Sequence, residues 1–285
     1  MERKYSLAYL TISGCSPVEM TYIAANAGYD YVSFRMIPLN LPGETPLLPE
    51  DTEMMRRTRA ALKETGIGVL DLELARIIEG VDPKTYVPAM EMIAEMGAKH
   101  VISSAWTNGE GDRNFIIDRF AEICDLAQPF GLTVNLEFPT ISRLTNLQET
   151  LDIVQAADRP NGGILIDTLY FHFGRVSLDE IKNVPSSYIN MIHLCDGPAD
   201  IPPDRDGLVH IIRDARLYCG EGCIDFQALD RCLPTVPCSI ELPHAERVKQ
   251  VGFEEHARRC LESAKRCLDH VHPEVSADVD ASAVM

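Results

Sequence analysis

The sequence has no apolar run approaching the ~18 residues that a membrane span needs, so no membrane partner is expected. It has no cluster of Lys or Arg. Its 26 basic side chains are outnumbered by 43 acidic ones, for a net charge of −17. Binding to a nucleic acid rests on neutralising phosphates, which a polyanion without a basic patch does poorly; DNA and RNA are excluded as partners. Nine cysteines are scattered through the chain without a CxxC. Cys219 and Cys223 in "YCGEGC" have no second pair to complete a metal site. Several other thiols fall inside apolar runs such as "IHLCD" and "VPCSIELP", as small buried hydrophobes do in a reducing cytoplasm. The opening "MERKYSLAYLTISGC" lacks a long apolar core and a small-residue cleavage site, so no signal peptide is expected and the localisation read is cytoplasmic. No Ser–His or Cys–His nucleophile pair is evident. No low-complexity linker interrupts residues 1–270. The reading is one domain over residues 1–271, followed by a small, polar, acidic tail, "HPEVSADVDASAVM" (272–285), with the composition of a disordered segment.

What is present is alternation. The apolar fraction of 46% and charged fraction of 24% are those of a globular protein. Eight β-rich runs occur: "YSLAYLT", "YDYVSFRM", "GIGVLDLEL", "AKHVISSAW", "LTVNLEF", "GGILIDT", "YINMIHLCD" and "PCSIELP". Helical segments lie between them. "SPVEMTYIAANAG" begins with Ser16 as N-cap and Pro17 at the first helical position, and ends on Gly28. The next three helices end on Gly66, Gly97 and Gly131, each suited to a left-handed C-cap. Strands apolar on both faces and separated by helices imply a parallel sheet. Eight such units, in a chain longer than the ~250 residues typical of the fold, imply a closed (β/α)8 TIM barrel, class α/β. An open doubly wound sheet is disfavoured because no GxGxxG follows the first strand.

In such a barrel, function sits at the C-terminal ends of the strands. The fifth strand of "TVNLEFPT" ends on Glu137, a carboxylate where the run should bury itself. The sixth ends on Asp167, the seventh carries His193 and Asp196, and the eighth carries Glu241. One such carboxylate is easily a salt-bridged strand end. Four groups on successive strands about 5 Å apart can converge on one ion, with a purely structural quartet as the competing reading. Three hard oxygen ligands and an imidazole suit Mn²⁺ or Mg²⁺, with Co²⁺, Fe²⁺ or Zn²⁺ as the other candidates. Asp196 either fixes the tautomer of His193 or caps a turn.

At these residues the chain resembles the xylose isomerase-like barrel superfamily, which includes tagatose 3-epimerase, inosose dehydratase and endonuclease IV. The likeness covers most of residues 5–270. "NLEF", "RPNGGILIDTL", "IHLCDGPA" and "ARLYCGEGCIDF" are similar to the sugar phosphate isomerase/epimerase branch. The resemblance implies that Glu137, Asp167, His193 and Glu241 are the metal ligands. It also implies that Arg216, with Arg213, reaches substrate from the long loop after the seventh strand. Segment 196–223, the longest connection after any strand, is expected to form part of an active-site lid, because long loops at the catalytic face tend to carry function. Two departures stand out. Where epimerases carry a substrate-contacting His three residues after the sixth-strand Asp, this chain has Tyr170, with His172 nearby. A tyrosine donates a hydrogen bond but does not titrate near neutral pH. The additional His and Asp ligands of endonuclease IV are not recognisable, which sets a nuclease aside.

Other candidates carry two readings each. Arg35 could bind a substrate anion through its planar fork or pair with Glu73 at the end of the third strand, and Glu73 is itself a candidate substrate contact. Trp106, the single tryptophan, could wall the pocket against a sugar face or simply pack. His244 lies just past a candidate ligand, and His100 sits at the wrong end of its strand for catalysis. An ion held by an open ligand set supports removal of a proton α to a ketone. Glu137 and Glu241, approaching from opposite faces, are the catalytic pair: proton return gives epimerisation or isomerisation, and loss of a β-substituent gives elimination. The expected function is a divalent-metal-dependent isomerase or epimerase of a small polyhydroxylated carbonyl compound. The alternative is a lyase or dehydratase acting on a keto-sugar, keto-inositol or 3-keto glycoside. A catalytically silent barrel that binds a sugar, or serves as subunit of a complex or homo-oligomer, is the reading from another class.

Overall fold

In the computed structural model, residues 3–269 are described except positions 42, 110 and 111; the tail expected over 272–285 lies outside the described residues. Eight strands form a closed barrel in sequential order. They are β1 (Tyr5–Leu7), β2 (Tyr31–Arg35), β3 (Gly68–Ile77), β4 (His100–Ala105), β5 (Thr133–Glu137), β6 (Gly162–Asp167), β7 (Ile189–Leu194) and β8 (Cys238–Ile240). Every pairing is parallel, and β8 closes onto β1 with Leu7 opposite Ile240. The expected (β/α)8 barrel is the observed fold. No helix among the described residues is long and apolar enough to cross a membrane.

Strand parity decides what faces the site. Side chains alternate between the two faces of a strand. Val134 and Leu136, Ile164 and Ile166, and Ile192 and Leu194 belong to the large core between barrel and helices. The residues between them face the barrel interior, where Leu70, Ile102, Leu165 and Met191 form a small separate apolar cluster. Two residues beyond Leu165 and Met191, on the same face, come Asp167 and His193. Glu137 ends β5 in the same phase.

The helix boundaries follow their caps. Helix Pro17–Ala27 has a full capping box between Ser16 and Glu19 and ends on Gly28 at φ 88°. Segment 196–223, expected to be loop, contains helix Arg205–Asp214, capped by the Asp204 carboxylate. After β8 comes a short separate helix, Ala245–Val251, capped by His244.

Candidate metal centre

Glu137, Asp167, His193 and Glu241 converge at the C-terminal rim, each offering a ligand atom within 4.8 Å of the others. His193 Nδ1 lies 3.3 Å from Glu137 Oε1, 3.4 Å from Glu241 Oε2 and 4.0 Å from Asp167 Oδ2. All four side chains are buried. Both ring nitrogens of His193 and Oε1 of Glu137 lack a hydrogen-bond partner. Buried polar atoms are nearly always satisfied, so orphaned atoms of this kind, pointing at one another, fit a divalent cation. The donor set of three carboxylates and an imidazole fits it chemically as well.

Arg216 completes the electrostatics. It is fully buried, with Nη1 2.8 Å from Asp167 Oδ2 and Nη2 2.8 Å from Glu241 Oε2. It also donates to the carbonyls of Ile212 (2.9 Å) and Glu241 (3.0 Å) and to the Tyr170 hydroxyl (3.2 Å). Helix Arg205–Asp214 and the residues just after it deliver this side chain, and the Arg216 backbone N–H is held by the Pro243 carbonyl at 3.1 Å. Burial, reinforced by Glu241 and Asp167, pushes the Glu137 carboxyl up to about 7. Burial acts the same way on Glu241, but Arg216 and then His193 outweigh it and hold that carboxyl well below the usual range. Burial would deprotonate His193, yet Glu241 and Glu137 keep it protonated in the metal-free arrangement. A ligating metal must displace that proton.

A cavity of about 350 Å³ opens beside the quartet, lined on one side by Glu137, Tyr170, His193 and Glu241 and on the other by Arg35, Glu44 and Glu73. Trp106 and Arg213 also line it, and Trp106 Nε1 donates to Ser104 Oγ at 2.8 Å. Arg35 takes the pairing reading: Nη2 meets Glu73 Oε2 at 2.7 Å and Nη1 meets Glu44 Oε1 at 3.1 Å, so its fork is occupied. Two of the expected substrate contacts lie elsewhere, and Asp196 takes one of its two readings. His172 is not in this cavity; it lines a separate depression with Phe171, Arg175 and Asp200, and its Nε2 lies 2.9 Å from the Pro198 carbonyl. Arg216 does not line the cavity but sits behind it, bonded to two of the four ligands. Asp196 is a turn cap: it accepts from the backbone N–H groups of Gly197, Gly220, Gly222 and Ile224. His100 contacts Thr133 Oγ1 at 2.8 Å, far from the rim.

Sequence reasoning missed Glu44, which lies on a loop with no periodic signal, and Asp71. Asp71 is fully buried in β3 and accepts from Ser33 Oγ, itself 2.9 Å from Ser6 Oγ. Burial, with Glu73 nearby, pushes its carboxyl up to about 7.

A closed parallel eight-stranded barrel with a carboxylate-rich, histidine-containing quartet on four successive strand ends defines a metal-site TIM barrel. The chain belongs to the family described as xylose isomerase-like TIM barrel, matched over residues 22–267. It is 23% identical to inosose isomerase of Bacillus subtilis over 173 residues, 58% of this chain and 55% of that protein. It is 23% identical to 3-dehydroshikimate dehydratase of Pseudomonas putida over 203 residues, 68% of this chain and 30% of that protein. The chain thus spans about half the length, or less, of these relatives. Among solved structures, the IolI protein with a bound zinc atom superposes with a TM-score of 0.77 at 20% identity, covering 95% of this chain and 99% of that one.

Proposed function

We propose that this chain is a divalent-metal-dependent isomerase or epimerase of a small polyhydroxylated ketone. The observation that carries the reading is the buried quartet with its unpartnered His193 nitrogens and Glu137 oxygen. Glu137, Asp167, His193 and Glu241 would hold the ion, Mn²⁺ or Mg²⁺ by the hardness of the oxygen donors. When bound, it supplies Lewis-acid stabilisation of the charge that develops on the ketone oxygen and a template for the neighbouring hydroxyl.

The chain's own groups do the rest. Glu137, which forms an ion pair with His193 and, among the described residues, with no arginine, is the group to take the α-proton and return it. Glu241, held ionised by Arg216, faces the same space and serves as the second proton carrier only when Arg216 yields part of its grip. Tyr170 keeps its proton because burial raises its hydroxyl well above the ordinary range; it lines the cavity as a fixed donor for a substrate oxygen. Arg216 positions Asp167 and Glu241 rather than touching substrate.

Elimination is the second reading. It is favoured by Tyr170 standing where a titrating histidine would assist epimerisation, and by the similarity to a dehydratase. Free cysteines throughout suit a cytoplasmic enzyme. The test is turnover in deuterium oxide with a panel of ketoses, keto-inositols and keto-glycosides. An isomerase or epimerase incorporates deuterium at the product α-carbon, and a lyase releases water or an alcohol. Glu137→Gln slows the proton step by about 10²–10⁴-fold. Turnover by hydride transfer or hydrolysis, without exchange or elimination, overturns the reading.

A further inference from the structure

The cavity lining is mixed in its chemistry. Besides three members of the quartet, Tyr170 and the charged side chains of Arg35, Glu44, Glu73, Arg213 and Asp214, it includes Leu10, Leu39, Leu41, Trp106, Pro139 and Ile141, an apolar wall. A polyol alone would leave that wall facing water, where apolar surface is unfavourable. Leu41 is the one exposed large hydrophobic among the described residues, at 37%. A single exposed leucine is ordinary, but this one is fixed in place. The Glu44 carboxylate accepts from the backbone N–H groups of Leu39 (3.0 Å) and Leu41 (3.3 Å) while paired with Arg35. Thr45 N–H is anchored on the Tyr9 hydroxyl at 2.8 Å. Across the cavity, Arg205 of helix Arg205–Asp214 donates to the Ile141 carbonyl at 2.8 Å, fixing the opposite side of the wall. The apolar residues are therefore presented by polar anchors with defined hydrogen bonds, a built surface rather than incidental exposure.

Both Nη groups of Arg35 are taken by carboxylates, while Arg213 lines the cavity beside Asp214. We propose that the substrate, read above as a polyhydroxylated ketone, carries an apolar group, aryl in size, that seats against Leu39, Leu41, Trp106 and Ile141. This inference rests on the proposed function for its polar end only. Burying an aromatic ring contributes enough to raise affinity by about tenfold to a hundredfold.

The experiment measures calorimetric binding to the Mn²⁺-loaded protein of two ketoses with the same polar end: 6-O-methyl- and 6-O-benzyl-D-fructose. The benzyl compound is expected to bind at least tenfold more tightly than the methyl one. In Leu39→Ser/Leu41→Ser, at half-buried and exposed positions, the benzyl-to-methyl ratio falls several-fold. A merely structural defect would weaken both ligands alike. If methyl and benzyl ketoses both bind metal-dependently and within twofold of each other, the apolar subsite is wrong while the proposed function stands. If metal is held but neither ketose binds, the proposed function fails and the inference fails with it.

Discussion

Replacing Arg216 with methionine removes one charge from the centre of the site while keeping much of the volume. In the metal-free protein the guanidinium lies 2.8 Å from both Asp167 and Glu241 and is fully buried. Without it, those carboxylates share only the His193 imidazolium. Stripping one partner from a buried charge pair costs about 3–5 kcal/mol, because the remaining charge is left without compensation. In a chain of this size that lowers Tm by on the order of 10 °C. A divalent ion at the quartet supplies positive charge at the same carboxylates. The penalty should therefore shrink as Mn²⁺ is added, which requires the variant to bind the metal more tightly than the natural chain does. At free metal a hundred times Kd, binding to the folded state contributes about 2.7 kcal/mol. The assay is thermal unfolding of both proteins across a series from chelator to excess Mn²⁺. Equal Tm values in chelator, or a loss that is the same at every metal concentration, would refute the electrostatic reasoning.

Two other perturbations test the surroundings of the site. Asp71 is raised from its ordinary value of 3.8 to about 7, so the folded state keeps a proton that the unfolded chain releases. The stability this provides is present below about pH 4 and is lost as pH rises to about 7, on the order of 4 kcal/mol in all. Asp71→Asn should therefore gain on the natural chain across that window in denaturant unfolding with chelator present; a pH-independent difference would contradict the shift. Asp196→Ala removes the acceptor for four backbone N–H groups, and should cost at least about 3 kcal/mol and open residues 197–224 to limited proteolysis. A variant within 1 kcal/mol of the natural chain would show that the turn holds itself.

The barrel and its quartet were legible because both depend on short-range regularities. Glycines follow the first four helices, apolar runs recur at even spacing, and a polar residue ends each of several strands. Glu137 is conspicuous because Val134 and Leu136 set the strand phase around it. The neighbourhood of the quartet was not legible, since it depends on groups brought together from distant loops. Helix Arg205–Asp214 was hidden by Pro202 and Pro203 before it and Gly207 within its first turn, although Asp204 is a good N-cap. With that helix unseen, Arg216 read as a loop residue reaching outward rather than a buried partner of Asp167 and Glu241. Glu44 sits 9 residues beyond Arg35 with no pattern linking them, so the occupied fork of Arg35 could not be read. His172 looked equivalent to Tyr170 at a separation of two residues, but on helix Thr168–Phe173 that separation turns it away from the cavity.

The most direct test of the metal centre is its stoichiometry. Elemental analysis after loading with Mn²⁺ and removing free metal should find one ion per chain in the natural protein. His193→Ala, which leaves the carboxylates in place but deletes the imidazole ligand, should retain a small fraction of that amount with the fold intact by circular dichroism. One ion per chain in both proteins, or none in either, would contradict the assignment of Glu137, Asp167, His193 and Glu241 as a single metal site.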